Sequence, residues 1–227
     1  MKIEATTIPI SDVIFGQIQE DIVKGILEPG SKINELDLSK KYGSGRGPLR
    51  EAIRRLEERR LVVRIPYAGV KVTELSFKEL DNIYEVREHL EGLATKQATL
   101  NMSDAEILEL GELLKKHQEE IENHNSKEYY QEEGEFDFHF SIVVKCSNAV
   151  LIDLYTKEIY HRIRMYRYKI SKARGRAEEA FEEHNAIYQA IVNRDAEIAE
   201  ILMRRHIRKA KSKINEEQTR KLYDISR

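Results

Sequence analysis

Cysteine is almost missing from this chain of 227 residues: Cys146 stands alone, with no CxxC neighbour. Neither an internal disulfide framework nor a thiolate metal site is therefore available. Any metal must be held by histidines and carboxylates. Long hydrophobic runs are missing as well. The apolar stretches last only a few residues, far short of the ~20 needed to cross a bilayer, and 34% of the residues are charged. A soluble protein without a membrane partner is expected. Met1-Lys2-Ile3-Glu4 is not followed by the apolar segment of an export signal, which makes the cytoplasm the expected location. Repeats, low-complexity tracts and an HExxH motif are also absent.

A large charge of one sign is lacking too, since the formal net charge is -2. The balance hides an asymmetry. Residues 1–72 carry 13 Lys or Arg against 10 Asp or Glu, whereas the remainder carries 25 against 30. From Lys32 to Val72 the ratio is 11 to 5. A basic module on an acidic body suits a protein with one nucleic-acid-facing domain. The length itself favours two domains with separate cores.

Hydrophobic periodicity then gives the elements. Ile14, Ile18 and Ile22, flanked by Phe15 and Val23, predict an amphipathic helix over residues 11–26 with Ser11 or Asp12 as its cap. Glu28-Pro29-Gly30 ends it. A short helix over 35–42 is expected to bury Leu38 and Tyr42, and Gly43 supplies the turn after it. Another helix begins near Arg46. Pro48 fits only in its first turn, and Leu49, Ala52, Ile53 and Leu56 form its inner face. Leu61-Val62-Val63 and Val70-Lys71-Val72 read as a hairpin shaped by Pro66 and Gly69. Beyond residue 75 strand signals vanish, and helices are expected near 76–101, 103–124, 126–146, 148–171, 175–193 and 195–222. Ser103 and Asp195 are plausible N-caps, and Gly175 interrupts the later segments. The predicted fold is mainly α, with a winged helix-turn-helix over 1–75 and an all-α helical bundle over 76–227.

Arg46, Arg50 and Arg54 recur every four residues opposite the apolar face of the helix after Gly43. Guanidinium groups so placed can reach guanine edges in a major groove, while amides at the helix start suit phosphates. The run from Ile22 to Val72, with Ile26-Leu27-Glu28-Pro29-Gly30, Gly43 to Ile53, Arg55-Leu56 and Gly69, resembles the DNA-binding domain of the GntR family. The resemblance makes Arg46 and Arg50 the DNA-reading arginines, sets Gly47 and Pro48 at the helix start near the DNA backbone, and places Gly69 at the wing tip. Arg54 joins this DNA-binding set. The family's Ser or Thr before the first arginine is Gly45 here, its following Thr is Gly47, and an arginine of the preceding helix corresponds to Leu36. Lys40, Lys41 and Arg64 are candidates to compensate through phosphate contacts.

In the second half Glu135 and His139 are four apart on one predicted helix face, and His184 and His206 lie on two later helices. Three imidazoles and a carboxylate suit Zn, Ni, Mn or Fe. Spacing alone leaves structural histidines as the rival reading. From Leu80 to His206 the chain resembles the FCD-type sensor domain of GntR regulators, at Tyr84-Glu85-Val86-Arg87, Leu90-Glu91, Phe138-His139, Ser147-Asn148, Glu183-His184 and Arg205-His206-Ile207. That resemblance implies a divalent metal on His139, His184 and His206, with Glu135 replacing the family's Asp, and a small carboxylate metabolite as effector. Asp137 is offset from the face of His139. Arg87 and Arg162 are the candidate effector-binding cations, with Arg164 nearby in sequence. The expected protein is a DNA-binding transcriptional regulator, a homodimer on a palindromic operator and not an enzyme. A metalloenzyme bundle fused to a DNA-binding head and a metal-free regulator are the alternatives.

Overall fold

The computed structural model describes residues 9–74, 76–123, 137–170 and 176–225. They belong to two compact units: residues 1–76 with 161–166, and residues 77–160 with 167–227.

In the first unit, α1 (Ile10–Val23) is capped at Pro9, two or three residues ahead of the Ser11 and Asp12 signals, and ends at Val23 rather than at 26. The Pro9 carbonyl accepts from the amides of Asp12 and Val13 at 2.9 and 3.3 Å, so a backbone oxygen does the capping expected of a side chain. Ile14, Ile18 and Ile22 are buried, as are Leu49, Ile53 and Leu56 of α3 (Arg46–Glu58), on which α1 packs. Between them lies α2 (Glu35–Lys41), capped by Asn34, whose side chain accepts from the amides of Leu36 and Asp37. Tyr42 is only half-buried, because its hydroxyl turns out to donate to Asp21 at 2.5 Å. Burial, with Asp21 close by, pushes the pKa of that phenol well up. Gly43 takes φ +61°, a conformation that costs a Cβ-bearing residue energy. The turn lets α3 leave α2 at an angle. Strands β1 (Val62–Ile65) and β2 (Gly69–Val72) pair antiparallel with Val62 opposite Val72 and Ile65 opposite Gly69.

The second unit is all helical among its described residues: α4 (Phe77–Asn101), α5 (Asp104–Asn123), α6 (Phe138–Val144), α7 (Ala149–Leu154), α8 (Tyr160–Ile170), α9 (Arg176–Val192) and α10 (Ala196–Ile225). A π-helical turn, Tyr155–Ile159, carries the chain from α7 into α8. Six residues of α8, His161–Tyr166, are grouped with the first unit. Long α4 packs along α10, α10 on α9, and α9 on α5. Local caps fix the entries. Ser103 and Glu106 exchange hydrogen bonds as a capping box, while Asn148 and Asp195 accept from the amides of Leu151 and Ile198. Where α5 passes α9, an added Cβ at Gly111 would stand 2.3 Å from the Tyr188 hydroxyl. Only glycine allows that approach. Gly175 and residues 126–136 of the helix expected from 126 lie outside the described residues.

Candidate functional site

The head presents its basic stripe as the spacing requires. Leu49, Ala52, Ile53 and Leu56 face inward, and Arg46, Arg50 and Arg54, four residues apart from one another on a different side of the helix, are exposed together. Gly47 and Pro48 form the first turn of α3, and Gly45 caps it without a side-chain hydrogen bond. The amides there stay open to an anion. Gly69 has φ +89° at the start of β2, where a side chain would be strained. Beside it, Tyr67 has φ +63° and is fully exposed. This aromatic residue at the tip of the wing is conspicuous in the structure, whereas a single tyrosine between Pro66 and Gly69 gave no signal in the sequence. Leu36, in the place of the family arginine, is exposed. Lys41 pairs with Asp21 and Arg64 with Glu57, while Lys40 is exposed.

The second centre lies in the interior of the helical unit. α6 carries His139, α9 carries His184 and α10 carries His206, all three buried. Nε2 of His184 is 3.1 Å from Nε2 of His139 and 3.3 Å from Nε2 of His206. A divalent cation held between them would account for three buried ring nitrogens gathered at one point. Imidazole nitrogens bind zinc at about 2.0–2.1 Å, so two ligands of one ion stand roughly 3.0–3.4 Å apart. The observed spacings match. Among the described residues these histidines form a group able to hold a metal ion. Glu135 lies outside the described residues. Asp137 caps α6 by accepting from the amides of His139 and Phe140, at 3.0 and 3.3 Å, and so sets the orientation of the helix that carries His139.

Two carboxylates that spacing did not single out complete the centre. Glu91 Oε2 lies 2.6 Å from Nδ1 of His139, and Glu183 Oε2 lies 2.6 Å from Nδ1 of His206. A carboxylate can only accept, so each Nδ1 carries the hydrogen and each Nε2 is left with its lone pair facing the others. An Nδ1 that donates cannot also accept. The 3.4 Å approach of Arg87 Nη2 to the same atom is therefore a close contact, and the true partner of Arg87 is Glu91, which its Nε binds. Arg87 is buried with Glu91 and lies over the Tyr84 ring. The sequence signal was present in the repeated Glu91 and Glu183 matches, although their direction needed the fold. Arg162 is grouped with the first unit, on α8. Arg164, on the same helix, pairs with Glu20.

A winged helix-turn-helix joined to an all-helical domain is the architecture of a DNA-binding transcriptional regulator. The family comparisons agree. The model of the bacterial regulatory proteins of the gntR family matches residues 10–72, and the FCD domain model matches residues 82–209. The chain belongs to the GntR family and carries an FCD domain. It is 31% identical over 194 residues to the HTH-type transcriptional regulator YdhC of Bacillus subtilis, covering 82% of each chain. It is 27% identical over 200 residues to the HTH-type transcriptional repressor GlaR of Escherichia coli, covering 84% of this chain and 89% of GlaR. The solved structure of Escherichia coli McbR/YncC superposes with a TM-score of 0.77 at 20% identity, over 93% of this chain and all of the other, and so shares the fold. YdhC and GlaR are named as transcriptional regulators, as expected from the sequence. Among the described residues no helix is long and apolar enough to cross a membrane.

Proposed function

We propose that this chain is a metabolite-responsive repressor that binds a palindromic operator as a homodimer and senses a small organic acid through a divalent metal. The observation that carries the sensing part is the convergence of three buried Nε2 atoms, with that of His184 lying 3.1 Å from that of His139 and 3.3 Å from that of His206. His139, His184 and His206 would hold the ion, with Glu135 as the added carboxylate. A bound divalent ion supplies a Lewis-acidic centre for a carboxylate effector. Arg87, adjoining the centre through Glu91, adds the positive charge toward which such an anion is drawn. The repressor reading draws on the name of GlaR. A two-fold protein requires a two-fold site, which is why the operator is palindromic and the recognition helices of two copies occupy successive major grooves. The effector acts by binding one arrangement of the two heads better than the other, since equal affinity would shift nothing.

The test is the metal content of untagged protein beside a His139→Ala, His184→Ala double variant. About one ion per chain, lost in the variant while the helical circular dichroism persists, is the expected result. Metal-free wild-type protein after supplementation with Zn, Ni, Mn and Fe would overturn the metal centre and leave a regulator that binds its effector without one.

A further inference from the structure

The recognition arginines are not all free in the absence of DNA. Arg54 is held by two carboxylates of its own helix: Glu51 accepts from Nη2 at 2.7 Å and from Nε at 3.2 Å, and Glu58 accepts from Nη1 at 2.5 Å. Arg50 Nε donates to Glu35 of α2 at 3.1 Å. No such ion pair forms at Arg46 among the described residues. The pairing leaves its mark on the charges, because Arg54 holds the Glu51 carboxyl below its ordinary range and Glu51 raises the guanidinium of Arg54. Glu58 is the more telling of the three. It occupies the last turn of α3, where an acidic side chain faces the negative end of the helix dipole and is disfavoured. Its contact with Arg54 gives that position a reason.

We infer that Glu35, Glu51 and Glu58 hold Arg50 and Arg54 back from DNA phosphates in the free protein and so limit binding to non-operator DNA. The stripe is exposed, with side-chain accessibilities of 68% for Arg50 and 59% for Arg54. Unopposed, both would neutralise phosphates on any duplex, and each phosphate so neutralised contributes sequence-independent affinity. Exposed ion pairs are individually weak. They therefore yield to a bidentate contact with a guanine edge, which the right sequence supplies, more readily than to a hydrated phosphate. Arg46, at the helix start, makes the first contact on any DNA, and the guarded arginines engage when the sequence rewards the exchange. Discrimination rises because the non-specific state loses affinity that the specific state regains.

The test needs no operator. Binding of a Glu51→Gln, Glu58→Gln variant to a fluorescent duplex of arbitrary sequence is followed by anisotropy across a salt series. One additional phosphate contact steepens the slope of log affinity against log salt by about 0.9, which amounts to roughly five- to tenfold tighter binding near 0.1 M salt. That gain is expected in the wild-type background and should vanish when Arg54→Ala is added. A Glu109→Gln, Glu112→Gln variant, at two exposed acids of α5 paired with Lys145 and Lys115, changes the net charge by the same amount without touching α3. Unchanged affinity, an equal gain from that α5 variant, or a gain that survives Arg54→Ala would each overturn the inference.

Discussion

Removing Glu183 should weaken metal binding while leaving the fold intact. Its Oε2 fixes the Nδ1–H of His206 at 2.6 Å, and its Oε1 forms an ion pair with exposed Lys209 at 2.9 Å. In Glu183→Ala the His206 ring loses the acceptor that orients it and the negative charge that raises its basicity. Such partners behind a ligand are typically worth 10- to 100-fold in metal affinity, or ~1.4–2.7 kcal/mol. Competition against a chromophoric chelator measures this directly. Thermal denaturation gives an independent reading. Metal at about 100 times the dissociation constant stabilises the native wild-type protein by ~2.7 kcal/mol, whereas a tenfold weaker variant at the same concentration gains only ~1.4 kcal/mol. Glu183→Gln, which retains an acceptor oxygen without the charge, should fall between. A Glu183→Ala protein that binds metal like the wild type would refute the positioning argument. It would leave the histidine centre standing, because that rests on the three Nε2 atoms alone.

Glu91→Ala should behave differently, because it also strips buried Arg87 of its carboxylate; breaking a buried pair costs roughly 3–5 kcal/mol, and chemical denaturation should show a loss of that order, with a loss below ~1 kcal/mol counting against the pairing. Arg50→Ala is expected to lose about 1–3 kcal/mol of discrimination between selected and random duplexes with an unchanged melting temperature, and selection from a duplex library that recovers the wild-type consensus at wild-type affinity would remove Arg50 from the reading set. His161 is held down to about 3, chiefly by burial and then by Arg59 and Arg164, against ~6.5 when unfolded. The unfolded state therefore takes the proton first: this contribution to stability is complete above pH ~6.5 and declines as pH falls toward 3, by up to ~1.4 kcal/mol per pH unit. Denaturation between pH 7 and 5 should show a shallower decline for His161→Gln, and equal slopes would contradict the assignment. Gly111→Ala should destabilise by ~1–2 kcal/mol, since overpacking against Tyr188 outweighs the gain in helix propensity; a raised melting temperature would show that Tyr188 yields freely.

Local physics decided much of this protein. Isoleucines every four residues can bury together only on a helix, glycine at 43 marks a left-handed turn, and arginines at 46, 50 and 54 must share a side of the helix different from that of Leu49 and Ile53. The winged helix-turn-helix and the helical nature of the second unit follow from such short-range rules. The same rules misplaced the start of α1, because a backbone carbonyl can cap as well as a hydroxyl, and competing signals one or two residues apart are not ranked by spacing. The histidines were visible as residue types on separate helices, yet their meeting depends on how α6, α9 and α10 pack. Pairs 22 and 45 residues apart in sequence come within 3.3 Å in space, which no local pattern encodes. Tertiary structure alone gave Glu91 and Glu183 their direction, placed Arg162 with the first unit, and paired Arg50 with Glu35 across the turn. A side chain's identity is local, but its partner is chosen by the packing of the whole chain.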